Sequence, residues 1–224
     1  VRGDLEFRNE LIRAQAYYSI AGPVRQRLHV RVANLLSESG DETGIPNLEV
    51  GWHYLRGAAP RIAAPFGIAG AEEALAAGAP AEAQQILEAL LSFDHEGSSA
   101  KTMRLLLSKA LLDRSNAPKA RPLLEDLLQL GSLTLRERAE TTRLISTAEF
   151  LLAKSPRTLG VAAARTAVDA ARETGDIELL LRALLEYART CKILGDEEGI
   201  QRTRCEAGKI IDDGSDLPAA HLTV

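Results

Sequence analysis

Aromatic side chains make up only 4% of this 224-residue chain, with a single Trp and a single Met. A core with so few rings must be filled by aliphatic side chains. Runs of Val, Ile, Thr and Tyr are also scarce, while Leu, Ala, Glu and Arg dominate, which favours helices over sheets. Cysteine is nearly missing. Cys191 and Cys205, fourteen residues apart, make neither a disulfide framework nor a zinc set. They read as buried, inert thiols in a reducing cytoplasm. No apolar run approaches the ~20 residues that span a bilayer, and no signal peptide is visible, so a membrane partner is not expected. A strong positive charge is absent too. The formal net charge of −4 and pI of about 5.7 exclude a general polyanion binder. The chain starts at Val1 and its one methionine is Met103, which reads as a piece of a longer protein.

What is present is a spaced set of small residues. Ala71 is followed twelve positions later by Ala83, then by Leu87 and Leu90. Ser108 and Leu111 precede Ala120, Leu124 and Leu127 in the same way. Ala188 and Cys191 precede Ile200 and Ala207. A third unit, Ala148 and Leu151 with Ala163, Ala167 and Ala170, has about three extra residues in its turn. Small residues at such intervals let one helix approach the next, turn back and offer an apolar stripe to a third. That is the pattern of stacked helical hairpins. Ala120 and Ala188 are expected where helices cross.

Punctuation agrees with this reading. Helices are predicted over 5–20 and 24–37. Further helices follow at about 48–57, 60–77, 80–93, 98–114, 117–130, 134–153, 158–174, 177–194 and 196–211. Gly78-Ala79-Pro80, Asn116-Ala117-Pro118, Ser155-Pro156, Gly175-Asp176 and Gly195-Asp196 separate them. Thr134 and Glu137 are spaced for a capping box, and Asp176 and Asp196 for N-caps after C′ glycines. Ser37 to Asn47 has the composition of a loop. The organisation expected is therefore a head at 1–37, a linker at 38–47, a repeat domain at 48–211 and a flexible tail at 212–224.

No catalytic constellation emerges. The string His95 to Thr102 keeps only Lys101-Thr102 of a phosphate loop; Gly is missing where backbone N–H groups must wrap phosphate, and a helix precedes it. The four His are scattered, without zinc spacing, and His53 between Trp52 and Tyr54 reads as a packing residue. Glu72-Glu73 and Asp212-Asp213 are helix neighbours that point apart. The chain is therefore expected not to be an enzyme and to hold no cofactor or metal. Charge is uneven, however. Residues 1–36 carry six Arg against three acids, +3, leaving −7 on the rest. Arg25, Arg27 and Arg31 are candidates for contact with another domain. Without a base-reading helix of Asn, Gln and Arg, nucleic acid is not the expected partner.

The hairpins resemble tetratricopeptide repeats over about 48–211. Ala71, Ser108, Ala148 and Ala188 match one small position of that family, and Ala83, Ala120 and Ala163 match the other. Ile200 departs from it. Trp52-His53-Tyr54-Leu55 resembles the opening of a repeat. The head resembles a block in bacterial STAND/AAA-type signalling ATPases. Phe7-Arg8-Asn9-Glu10-Leu11-Ile12-Arg13 is followed by Tyr17-Tyr18, by Arg25-Gln26-Arg27-Leu28-His29 and by Val32-Ala33, with His53-Tyr54 soon after. The family pattern has His where this chain has Asn9.

That block closes a winged-helix-like module between the ATPase core and the repeats, in transcriptional activators of the LuxR and MalT kind among others. The resemblance implies an all-α fold: a right-handed α-α superhelix of tetratricopeptide-like hairpins, preceded by helices from the end of a winged-helix-like module. It implies a sensor or regulatory segment of a signalling ATPase that binds a protein, a peptide or a small inducer and contacts the ATPase domain of its own chain. The alternative is a freestanding scaffold or adaptor. Partners of such repeats dock on the surface lined by the first helix of each hairpin. Counting along the repeats puts Thr102, Lys109, Asp113, Thr142, Glu149, Arg182, Arg189 and Lys192 there. The last unit is basic, which suits an acidic peptide or small anion.

Overall fold

The computed structural model describes residues 9–43, 47–93, 99–153 and 160–213. Among these residues there are eleven α-helices and no strand. None of the helices is long and apolar enough to cross a membrane. Two compact units, 1–106 and 107–224, divide the chain. The first contains α1 (Glu10–Ser19), α2 (Gly22–Thr43), α3 (Asn47–Arg56), α4 (Pro60–Ala76), α5 (Pro80–Phe93) and the first half of α6 (Ala100–Asp113). The second contains the rest of α6, α7 (Ala117–Gln129), α8 (Leu135–Leu152), α9 (Val161–Thr174), α10 (Ile177–Leu194) and α11 (Glu197–Asp213). The division thus falls inside α6 rather than at 38–47.

Local chemistry sets the helix ends. Pro at the first or second helical position opens α4, α5 and α7, where its missing N–H costs nothing. Thr134 and Glu137 form the capping box of α8, with Thr134 N–H donating to Glu137 Oε2 at 2.8 Å and Glu137 N–H to Thr134 Oγ1 at 3.2 Å. Gly175 and Gly195 end α9 and α10 in the left-handed conformation, at φ of 68° and 70°. Asp176 and Asp196 accept from the N–H groups of Leu179 and Gly199. Asn9, which replaces the His of the resembled pattern, caps α1 by accepting from Leu11 N–H at 2.9 Å.

The expected loop from Ser37 is not where the chain turns. α2 runs on to Thr43. Extending an existing helix fixes one residue per hydrogen bond, so Ser and Gly there cost at most about 1 kcal/mol each and do not stop it. The expected strings at 95–98 and 155–156 and the tail beyond 213 lie outside the described residues.

In the first unit α3 packs on α2, α4 and α5, and α4 packs on α5. α4 buries Ala63, Gly67, Gly70 and Ala71. At Gly70 the backbones lie so close that a methyl group would collide with Leu48 N and the Asn47 carbonyl carbon. Tyr54 stacks on Phe66 at 5.4 Å and donates its hydroxyl to Asn34 Oδ1 at 2.8 Å.

In the second unit each helix from α7 to α11 packs on the next, and α8 also touches α10. Its core gathers Ala139, Ala164, Val168, Ala171, Leu179, Ala183, Leu184, Tyr187 and Cys191. Ala71, Ala83, Leu87, Leu90, Ser108, Leu111, Ala120, Leu124, Leu127, Ala148 and Ala167 are buried as the spacing requires. The register slips elsewhere. On α9 Ala164, Val168 and Ala171 are buried beside Ala167, while the expected Ala163 and Ala170 are only half-buried. On α10 the buried alanine is Ala183, while Ala188 is half-buried. Leu151 is 41% exposed. Each residue of error rotates a helix by 100°, so a miscount of one residue ahead of α9 displaces the faces counted after it. Cys191 is buried, but Cys205 is exposed, a correction to the expectation of two buried thiols.

Gly70→Ala should destabilise the protein by about 1–3 kcal/mol, since backbone cannot yield as a side chain can. Gly208→Ala on α11, where a methyl meets nothing within 4 Å, should stabilise it by up to about 1 kcal/mol. Urea unfolding of the two variants checks both signs.

Candidate functional site

The second unit carries a buried lattice of charge across α6, α8 and α10. Lys109 Nζ on α6 lies 2.8 Å from Glu140 Oε1 on α8. Arg143, one turn further along α8 and 9% exposed, donates to the same carboxylate through Nε at 2.8 Å and Nη2 at 3.0 Å. Its Nη1 reaches Glu186 on α10. Thr147 donates its hydroxyl to the other Glu186 oxygen at 2.8 Å. Glu140, Arg143 and Thr147 share one face of α8, at i, i+3 and i+7. One guanidinium thus ties two carboxylates from different helices.

Burial works against every charge here, and the partners decide the outcome. Burial pushes Glu140 up, but the hydrogen bonds and charge of Arg143, with Lys109 beside it, hold it at about 2. Burial lowers Arg143, and Glu140 and Glu186 more than reverse it, so it stays charged. Glu186 is raised by burial, with Arg143 and Thr147 offsetting only part. It shares a cation that Glu140 already engages in two bonds. Burial also raises Asp113, against the pull of Arg143 and Lys109. Among the described residues no buried side-chain polar atom lacks a partner, so the lattice has no unused donor for a ligand. Its role is to hold three helices in register.

Beside it lies a small open cleft of about 20 Å³, lined by Ser146, Thr147 and Phe150 of α8 and Glu186, Arg189 and Thr190 of α10. The Arg189 guanidinium lies over the Phe150 ring at 5.3 Å. Arg189 is exposed and makes no ion pair among the described residues.

The expected contact residues divide. Lys109, Asp113 and Arg189 lie at the lattice and its cleft. Arg182 sits on the face of Glu186 and Arg189 but pairs with Glu178 at 2.5 Å. Lys192 is exposed on α10, and Thr102 is half-buried on α6 in the first unit. Thr142 and Glu149 are on the opposite side of α8 from Glu140. Thr142 donates to Arg138 O, and Glu149 lies 3.5 Å from Arg121 on α7. Glu140, Arg143, Thr147 and Glu186 escaped the sequence reading. The i,i+3 spacing of Glu140 and Arg143 was the one signal available, and such pairs are common on solvated faces.

The first unit has a second polar cluster. Tyr17 Oη of α1 lies 2.7 Å from His29 Nε2 of α2, and His29 Nδ1 lies 3.0 Å from His53 Nδ1 of α3. Two facing Nδ1 atoms need one hydrogen between them, so both rings cannot be cations at once. His29 is held below its usual 6.5 by burial, then by His53, Arg56 and Arg25; His53 is held down by burial and then Arg56, with Glu49 opposing. His53 is therefore a hydrogen-bonding link between helices as well as a packing residue. Arg25 lies over the rings of Tyr17 and Tyr18 at 4.8 and 5.5 Å and donates to Tyr17 O. Arg27 and Arg31 are exposed.

Arg143→Met should cost about 3–5 kcal/mol, since it strands two buried carboxylates. Lys109→Met, at the open edge, should cost at most about 1 kcal/mol. Denaturant titration compares them. The histidine pair sets the acid response. A His depressed in the folded state contributes stability fully above pH 6.5, and the contribution is lost as pH falls through the folded value. The melting midpoint should fall between about pH 7.5 and about pH 5, and His53→Asn should flatten that slope. An equal slope in the variant would remove the pair from the account.

Comparison with family models, with curated proteins and with solved structures found no match to this chain.

Proposed function

We propose that this chain is a non-catalytic sensor and regulatory segment of a larger bacterial signalling ATPase of the STAND/AAA type, a cytoplasmic transcriptional regulator of the LuxR and MalT kind. In this reading the hairpins from α3 onward form a right-handed, tetratricopeptide-like superhelix. α1 and α2 close a winged-helix-like module, and the repeat arm binds a peptide, a protein or a small inducer.

The observation that carries the binding role is the α8–α10 face. A lattice of Glu140, Arg143 and Glu186 fixes two helices side by side. The cleft beside it then offers Arg189 over Phe150. A cation poised on an aromatic ring suits a carboxylate or an acidic side chain carrying an apolar neighbour. Arg182 and Lys192 add positive charge along α10. A platform with a basic lip suits capture of an anion.

Calorimetric titration of acidic and basic synthetic peptides into the protein tests this. The acidic peptide should bind. Arg182→Ala, Arg189→Ala and Lys192→Ala combined should weaken that binding about tenfold or more, with helicity by circular dichroism unchanged. Equal affinity of the triple variant would overturn the site. In the longer protein, the same peptide should change the rate of nucleotide hydrolysis.

A further inference from the structure

The charges of the buried lattice do not balance. Glu140, Glu186 and Asp113 stand against Arg143 and Lys109, which leaves one negative charge in excess. Glu140 takes the larger share of the cations, through Nε and Nη2 of Arg143 and Nζ of Lys109. Asp113 keeps access to water. The excess therefore falls on Glu186, whose side chain is only 19% exposed. One of its oxygens meets Arg143 Nη1, and the other accepts from the Thr147 hydroxyl at 2.8 Å.

Glu186 is also part of the cleft wall. It stands one turn before Arg189 on α10, and both line the opening with Phe150. The Arg189 guanidinium, over the Phe150 ring, makes no ion pair among the described residues. An anion seated on Arg189 comes to lie beside the Glu186 carboxylate. Like charges held that close disfavour each other, and a proton on the carboxyl removes the conflict. The neighbouring cations have no charge to spare for Glu186. Arg143 is shared with Glu140, and Lys109 is bound to Glu140. Arg182, one turn before Glu186, pairs with Glu178. On the flanking helices, Arg165 of α9 is turned to Tyr187 and Arg202 of α11 to Glu198.

We propose that the α8–α10 cleft takes up a proton with its anion: Glu186 is protonated from solvent when a carboxylate binds Arg189, so the site holds acidic segments more tightly as pH falls. This rests on the reading of the cleft as a site for acidic peptides. Burial already raises Glu186 from its usual 4.5, with Arg143 and Thr147 offsetting part and Glu140 adding to the rise. A bound anion pushes in the same direction, and a carboxyl whose value rises on binding ties affinity to acid. The protonated carboxyl fits its place. It keeps an oxygen to accept from Arg143 and gains an O–H that can donate to the bound carboxylate.

The test is calorimetric titration of an acidic peptide without histidine into the whole chain, in two buffers of different protonation enthalpy. The difference in heat counts the protons taken up. Near pH 5.5 roughly half a proton should be taken up per peptide, and affinity should rise about threefold or more between pH 7 and that pH. Glu186→Gln keeps the shape of the side chain and removes its charge. It should bind at pH 7 at least as tightly as the native chain, take up no proton and lose the pH dependence, with circular dichroism unchanged. His53→Asn, in the first unit, should leave the uptake as it is. Binding without proton uptake, or an unchanged pH profile in Glu186→Gln, overturns the inference and leaves the acidic-peptide site standing. Uptake that survives Glu186→Gln and is lost in Asp113→Asn overturns it too, by assigning the proton to the other carboxyl. No binding at either pH removes the site and the inference together.

Discussion

Helices whose buried positions are alanine must lie close together or leave voids, and that constraint underlies each unit of this protein. Ala63, Ala71 and Ala83 in the first unit, and Ala120, Ala139, Ala148, Ala164, Ala171 and Ala183 in the second, are almost fully buried. Interiors pack densely, so a core of methyl groups is filled by backbone approaching backbone. Gly70 against Leu48 is the extreme of that approach. Leucines such as Leu87, Leu124 and Leu184 fill the space that remains. The scarcity of aromatics is thus a geometric requirement of the fold.

Close helices leave little freedom for polar side chains caught between them. That is why Glu140, Arg143 and Glu186 form a closed lattice. Burial makes each charge costly alone, and mutual pairing offsets the cost. The lattice adds directionality that alanine packing lacks: a guanidinium has fixed donor directions, and two carboxylates on different helices must meet them. In the first unit the Tyr17, His29 and His53 chain does similar work with weaker partners. Within the lattice Glu140 is held low by Arg143 and Lys109, while burial raises Glu186; in the other cluster burial holds both imidazoles below their usual value.

The surface proposed for binding follows from what the packing leaves over. Arg189 faces outward because Glu186, one turn before it, is turned to Arg143. A lateral cleft with an aromatic floor suits a short acidic segment, and the carboxyl in its wall ties that capture to a proton.

The amino-acid sequence by itself determined where helices begin and end. Thr134 with Glu137, Asp176 after Gly175, Asp196 after Gly195 and the prolines at 60, 80 and 118 act within one turn. Interactions that short are legible from spacing. Most of the small buried residues were legible for the same reason. Tertiary structure alone decided which faces meet. Arg143 finds Glu186 across 43 residues and His29 finds His53 across 24, and no local spacing records either pairing. It also decided that α9 buries Ala164 rather than Ala163, and that α2 continues past Ser37. A helix rotates 100° per residue, so an error of one residue in counting changes the face while the helix itself is unaffected.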